Sequence, residues 1–93
     1  MRILLSPCVN ELETILYTFD GEIITATIGE VSDVFDFTGF PEGELDVTAI
    51  ESVLPHRVVN KAVRENGVLS VTLLNFIKED ASEEEKFPEW KVI

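Results

Sequence analysis

Residues 58–77 read VVNKAVRENGVLSVTLLNFI, two runs rich in β-branched and aliphatic residues on either side of Asn66-Gly67. A two-residue turn of type I′ needs a positive φ at both central positions, which asparagine and glycine accept most readily. An Asn-Gly pair between two β-rich runs is therefore a strong short-range signal for a hairpin. The stretch predicts two long antiparallel strands joined by that turn.

Upstream of this hairpin, residues 14–37 predict a three-stranded meander. Asp20-Gly21 separates the first two β-rich runs and predicts another type I′ turn, and Gly29-Glu30 predicts a tight turn before the third run. In the third run, alternation with a period of two places four residues on one face. Those residues are Val31, Asp33, Phe35 and Phe37.

The segment between the meander and the Asn-Gly hairpin begins with a loop. Residues 38–43 contain two glycines and one proline, which are typical of a loop and divide one sheet from the next. From Leu45 to Leu54, apolar and polar residues alternate except at Ile50 and Glu51. That alternation favours a strand over a helix for this segment.

After Ile77 the chain becomes acidic and predicts a short helix followed by an arm. Ser82 and Glu85 have the spacing of a capping box, and acidic residues in a first turn are favoured by the helix dipole. The helix is expected to stop before Pro88, because the residue preceding a proline disfavours the α conformation. The arm beyond it carries Phe87, Trp90, Val92 and Ile93.

Together these patterns predict a mainly β protein with a short C-terminal helix. A chain of 93 residues is large enough for one domain with one core. We expect about six strands in a small antiparallel β-sandwich or a partly closed barrel, between which the sequence does not choose. The expected parts are an N-terminal group (1–37), a second strand group (45–77) and the acidic helical turn with its arm (78–93).

Charge and cysteine content exclude several classes of protein. Eighteen acidic residues against seven basic ones give a net charge of −11, which opposes binding to nucleic acid and to anionic membranes and favours solubility. Cys8 is the single cysteine, so no internal disulfide forms. The apolar run 3–5 is too short for a signal peptide, and no run approaches the ~18 apolar residues of a membrane span. We expect a cytoplasmic protein.

Motifs of enzymes, cofactor sites and metal sites are missing from the sequence. A dyad of Cys8 and His56 is conceivable in space, but both are interpreted as structural, with Cys8 as a small buried hydrophobe. Glu30, Asp33 and Asp36 offer oxygen ligands for a hard cation. Asp33 and Asp36 lie on opposite faces of the predicted strand, however, and are interpreted as a solvated edge. No catalytic residue, cofactor or metal is predicted.

The acidic tail offers the residues at which a partner would be sought. They are Glu83, Glu84, Glu85, Phe87 and Trp90. The glutamates indicate either a solvated, capped helix or a docking site for a basic partner, and the first is favoured. The tryptophan indicates either an arm folded back onto the sheet or an arm docked on a neighbouring subunit, and the first is again favoured.

Several short segments of the C-terminal third resemble small acidic proteins encoded in tailed phages and prophages. The segments are Arg64-Glu65-Asn66-Gly67-Val68-Leu69, Leu73-Leu74-Asn75-Phe76-Ile77, Asp80-Ala81, Glu83-Glu84 and Phe87-Pro88-Glu89. Members of that group are often encoded near tail genes and have no settled biochemical role. The resemblance therefore implies an origin more than an activity, and it implies no catalytic residues.

The leading hypothesis is a non-enzymatic structural or protein-interaction module of phage or prophage origin, such as an accessory or assembly component of the tail. Its expected partner is a protein, either a copy of itself or a tail component. Its expected location is the cytoplasm of a host cell, with virion association as the alternative. The alternative is a small acidic regulator or inhibitor that binds a basic host protein surface, with binding that weakens in salt. A small-molecule or sugar-binding module ranks third and an enzyme last.

Overall fold

Runs of β-branched and aliphatic residues interspersed with polar ones favour strands. The computed structural model describes residues 1–93 and contains eight strands in two sheets. The strands are β1 (Arg2–Val9), β2 (Ile15–Asp20), β3 (Ile23–Ile28), β4 (Val31–Asp36), β5 (Gly43–Glu44), β6 (Val59–Glu65), β7 (Val68–Ile77) and β8 (Lys91–Val92). The helical parts are a 3-10 turn, η1 (Val47–Ala49), and one α-helical turn, α1 (Glu83–Lys86). The predicted mainly β class with a short C-terminal helix is confirmed.

The Asn-Gly hairpin forms as predicted between β6 and β7. Glu65 pairs with Val68, and the two turn residues have φ values of 52° at Asn66 and 79° at Gly67. Two positive φ values are the signature of a type I′ turn. The pairing slips by one residue at Asn60, where β6 has a bulge.

The three-stranded meander forms a sheet of its own, in the order β2-β3-β4. The turn at Gly29-Glu30 is confirmed, but the type I′ turn centred on Asp20-Gly21 is wrong by one residue. Asp20 pairs with Ile23, so the turn residues are Gly21 and Glu22, and only Gly21 has a positive φ. That pattern is typical of a type II′ turn.

The hairpin register explains this shift of the first turn. In the observed register Phe19 lies opposite Ile24, and Ile15 lies opposite Ile28. A turn centred one residue earlier would have placed Glu22 opposite Phe19 on the inner face of the sheet. Burial of the apolar pairs therefore favours the later turn, and it leaves the Glu22 side chain free to bind elsewhere.

In β4 and the residue after it, the predicted inner face is largely observed. Phe35 and Phe37 are buried and Asp33 is partly buried, whereas Val31 at the start of the strand stays exposed. The backbone N–H of Phe37 donates to Glu22 O at 3.0 Å, which prolongs the strand by one residue.

The larger sheet has the order β5-β6-β7-β1-β8 and contains a parallel pair that the antiparallel prediction omitted. β1 runs parallel to β7 over its whole length, from Arg2 opposite Ser70 to Val9 opposite Ile77. Parallel strands need a long connection between them. Here the chain forms the entire smaller sheet, η1 and two further strands before it returns beside β1.

The strand predicted from Leu45 to Leu54 is wrong. Only Leu45 continues the pairing of β5, through its N–H to Ala62 O at 2.9 Å, and the chain then forms η1. The Asp46 carboxylate accepts a hydrogen bond from Thr48 N at 3.0 Å and caps this turn. A short polar side chain that bonds its own backbone competes with strand formation, and here it overrides the alternating pattern.

One hydrophobic core of 15 residues draws on both sheets, so the two sheets pack on each other and no barrel closes. Its most deeply buried large side chains are Phe37, Ile24, Leu73, Val58 and Val71. No polar or charged residue is buried within it. Neither helical turn has the length or the apolar composition needed to cross a membrane.

Candidate functional site

The predicted partner-docking residues lie on the C-terminal arm, residues 82–93, which leaves β7 and returns along β1. The predicted capping box starts the arm: Ser82 Oγ accepts from Glu85 N at 3.3 Å, and Glu85 Oε1 accepts from Ser82 N at 3.5 Å. α1 ends with Phe87 N donating to Glu83 O, before Pro88, as the sequence predicts. The capping box thus fixes the direction in which the arm enters its path across the protein.

The end of the arm adds a short strand to the large sheet. Lys91 and Val92 pair antiparallel with Ile3 and Arg2, and Ile93 N donates to Met1 O at 2.8 Å. In this structure the arm packs on its own chain.

Trp90 lies beside this short strand and contacts the guanidinium group of Arg2. The guanidinium carbon of Arg2 lies 4.8 Å from the centre of the indole ring, within the range of a cation–π contact. The indole nevertheless stays 42% exposed, and the Phe87 ring is 75% exposed. Two aromatic rings of the arm are therefore available for contact with another molecule.

Between the arm and strands β1 and β7 lies an open groove with a volume of about 600 Å³. Leu5 and Asn75 contribute to it from the two strands, and residues 83–85 and 87–91 contribute from the arm. All five predicted partner-docking residues line this groove: Glu83, Glu84, Glu85, Phe87 and Trp90. The fold thus brings together on one surface the acidic and the aromatic residues that the sequence singled out.

The groove carries a strong excess of negative charge. Glu89 joins the three helix glutamates in its lining, and Lys91 is the one basic residue there. The protein's three ion pairs join His56 to Glu13, Lys61 to Glu44 and Arg64 to Glu22, so none of them involves a carboxylate of the groove. Four exposed and unneutralised carboxylates favour a cationic partner.

Leu5, Asn75 and Glu89 are groove residues that sequence reasoning missed. Glu89 has a local signal, because it precedes Trp90 in an arm that was already suspected. Leu5 and Asn75 have none, since their position depends on the parallel pairing of β1 with β7. Knowing the fold was necessary to find them.

Cys8 and His56 have separate surroundings. Cys8 is exposed near the end of β1, so the expectation of a buried cysteine is wrong. Pro7, Cys8 and Val9 are all exposed, although Phe76 and Ile77, which pair with Cys8 and Val9, are buried. His56 Nε2 lies 2.9 Å from Glu13 Oε1, and the imidazole packs edge-on against Phe76.

The carboxylate of Glu13 belongs to a small polar cluster around that histidine. Hydrogen bonds from His56 and from Asn10 Nδ2 hold the pKa of Glu13 below its usual value. Lys78 Nζ donates to Asn10 O and Glu13 O at 2.7 and 3.0 Å. The cluster therefore fastens the loop after β1 to the end of β7.

Two of the three carboxylates considered for a cation, Asp33 and Asp36, accept hydrogen bonds from backbone N–H groups. Asp33 accepts from Val34 N at 2.8 Å and from Val53 N at 3.1 Å, and hydrogen bonds from Ser52 and Val53 lower its pKa. Asp36 accepts from Thr38 N at 2.9 Å. No group of three metal-ligating side chains lies together in the protein. Asp33 fastens the 52–53 segment to the edge of β4.

Comparison of the chain with protein-family models, curated proteins and solved structures finds no match. The resemblance to phage proteins stays a prediction from the sequence. The groove between the arm and strands β1 and β7 is thus the candidate site on the strength of its own geometry and charge.

Proposed function

We propose that this protein is a non-enzymatic protein-interaction module of phage or prophage origin, and that the groove beside the arm binds a basic segment of its partner. The observation that carries the proposal is the convergence of four carboxylates without an ion-pair partner and two exposed aromatic rings on one groove. Aromatic side chains supply contact area, and carboxylates select cationic side chains and speed association.

The resemblance over residues 64–89 supports a place among phage proteins encoded near tail genes. In that setting the partner is a component of the tail, and the protein is an accessory or assembly factor. The net charge of −11 supports the second candidate, a small acidic inhibitor of a basic host protein. Both candidates use the same groove, and the identity of the retained partner separates them.

The test is retention of a partner by the immobilised protein and by two charge-matched variants. The groove variant is Glu83→Gln, Glu84→Gln, Glu85→Gln, in which glutamine at position 85 still completes the capping box. The control variant is Glu30→Gln, Glu51→Gln, Glu65→Gln, which removes the same charge from exposed residues outside the groove.

We expect one basic protein to be retained from a lysate of infected host cells at low salt, and to be lost from the groove variant but not from the control. Its retention should fall steeply as salt is raised, because exposed charges are screened within about 10 Å at 0.1 M ionic strength. Equal loss of the partner from both variants would mean that net charge alone retains it. That result would contradict specific binding in the groove. A retained tail protein favours the assembly role, and a retained host protein favours the inhibitor.

A further inference from the structure

The outer edge of β1 is partly unpaired, and one residue of this strand, Leu5, lines the groove. In a strand, the N–H and C=O of one residue point to the same side, and the side alternates along the chain. Ile93 N donates to Met1 O on the side of β8, whereas Asn10 N donates to Ile77 O on the side of β7. Odd-numbered residues of β1 therefore direct their main-chain groups outward, and even-numbered residues direct theirs to β7.

β8 covers only the beginning of that edge. Its last pair joins Ile3 to Lys91, after which the arm separates from β1 and the groove opens between them. Beyond Ile3, the outward groups are the N–H and C=O of Leu5 and Val9 and the C=O of Pro7. None of them takes part in a backbone hydrogen bond, and only Val9 O has a side-chain contact, a long one from the neighbouring Cys8 thiol.

We propose that this open edge accepts an extended basic segment of the partner as an added strand, an inference that rests on the proposed function of the groove. Residues 4–9 span about 20 Å at ~3.3 Å per residue, which is room for roughly six partner residues. Leu5 and Val9 each offer a donor and an acceptor, and Pro7 offers an acceptor. Main-chain bonds of this kind supply affinity, and alternate side chains supply specificity.

The groove determines the charge of the added strand. Alternate side chains of a strand on this edge would point into the groove, where Glu83, Glu84, Glu85 and Glu89 lie. Lysine and arginine place a charged group at the end of an apolar stem, which suits carboxylates beside the exposed rings of Phe87 and Trp90. A second copy of this chain is disfavoured, because each copy carries a net charge of −11.

Pro7 fits an edge that is open but restricted. Prolines are tolerated in edge strands where the missing N–H would face outward, and such residues limit unwanted pairing between exposed edges. Pro7 lies at one of the outward positions and removes one of three donors. A strand without basic side chains therefore binds this edge with one hydrogen bond fewer. A basic strand offsets that loss through its contacts with the carboxylates of the groove.

Amide hydrogen exchange measured by NMR tests the inference at single residues. The probe is a capped octapeptide of alternating lysine and valine, and its control is the same peptide methylated on every backbone nitrogen, which has equal charge but offers no N–H donor on either edge. We expect the lysine-valine peptide to slow exchange of the Leu5 and Val9 amides about fivefold or more. The amides of Leu4, Ser6 and Cys8, which face β7, should not change.

A substitution at the edge provides the second measurement. Val9→Pro removes one outward N–H and leaves the bonds from β1 to β7 in place, so affinity for the lysine-valine peptide should fall about fivefold. Val9→Ala, which keeps the N–H, is its control and should bind as the wild type does. Slow exchange at Ser6 and Cys8 in the proline variant would show that its sheet remains folded.

Two results would overturn strand addition. Equal affinity for the two lysine peptides without slower exchange at Leu5 and Val9 would mean binding by charge alone, which leaves the proposed function intact. Failure of the lysine-valine peptide to bind would also overturn strand addition. The proposed function would still be tested separately, by retention of a partner from the lysate. Equal slowing by a serine-valine octapeptide would refute the requirement for a basic strand.

Discussion

The Arg64 guanidinium donates from all five of its N–H groups. Nη1 and Nη2 bind the two carboxylate oxygens of Glu22 at 3.0 and 2.7 Å, which is a bidentate ion pair. The remaining donors reach the carbonyl oxygens of Phe37, Phe40 and Gly67. One side chain, 12% exposed, thus joins the first turn of the meander, the loop after β4 and the Asn-Gly turn.

Replacement of Arg64 should therefore destabilise the fold more than a surface ion pair would. We expect Arg64→Ala to lower the melting temperature by about 10 °C, because three carbonyl groups and a carboxylate lose their donor together. Arg64→Lys should lower it by nearly as much, since an ammonium cannot provide the planar fork. Lys61→Ala, which removes the exposed pair with Glu44, is the control and should change it little. Thermal unfolding followed by circular dichroism gives the comparison, and a small effect of Arg64→Ala would refute this role.

The partner carboxylate makes part of this stability depend on pH. The hydrogen bonds from Arg64, and secondarily its charge, hold the pKa of Glu22 below its ordinary value of 4.5. A lowered pKa means that the carboxylate stabilises the fold above pH 4.5 and that this contribution is lost as the pH falls through the lower folded value. Urea unfolding at pH 7 and pH 3 should show a larger loss of stability in the wild type than in Glu22→Gln. An equal loss in both proteins would show that other carboxylates account for the acid sensitivity.

At the scale of elements, features that depend on neighbouring residues were predicted from the sequence, whereas pairings between distant strands were not. The Asn66-Gly67 hairpin and the Ser82 capping box were predictable, because the interacting residues are neighbours in the sequence. The parallel pairing of β1 with β7 was not, since no residue of β1 identifies a partner so far along the chain. The same holds for the groove. Its residues on the arm were predicted from local features, whereas Leu5 and Asn75 could be assigned to it only from the structure. At η1, a local cap at Asp46 overrode an alternating pattern.

The Asn-Gly turn provides a test of how much one backbone conformation contributes to an element. Gly67 has a φ of 79°, and a Cβ added there would meet no atom within 4 Å, so any effect of Gly67→Ala is conformational. We expect Gly67→Ala to cost about 1 kcal/mol of unfolding free energy. Asn66→Gly, at a φ of 52°, should change it by only a few tenths. Urea unfolding of both variants measures the difference, and equal stabilities would exclude the glycine as the determinant of this hairpin.

The two sheets are joined by a side chain as well as by the core. The Tyr17 hydroxyl of β2 donates to Leu74 O of β7, and burial of the ring raises the pKa of the phenol. Tyr17→Phe keeps the ring and removes the donor, so we expect a loss of about 1 kcal/mol of unfolding free energy. Thr18→Val, on the opposite face of the same strand, removes an exposed hydroxyl and is the control. If both variants lose the same stability in urea, the bond between the sheets contributes nothing measurable.

At the scale of the whole molecule, the dominant feature is the imbalance of 18 acidic and 7 basic residues. Like charges repel one another in the compact state, and added salt screens that repulsion. Three ion pairs are too few to reverse the sign of this effect. We expect the melting temperature to rise by about 5 °C when sodium chloride is raised from low to moderate concentration. The Glu83, Glu84, Glu85→Gln variant should start from a higher melting temperature at low salt and gain less. A melting temperature that falls with salt would mean that attractive ion pairs outweigh the repulsion.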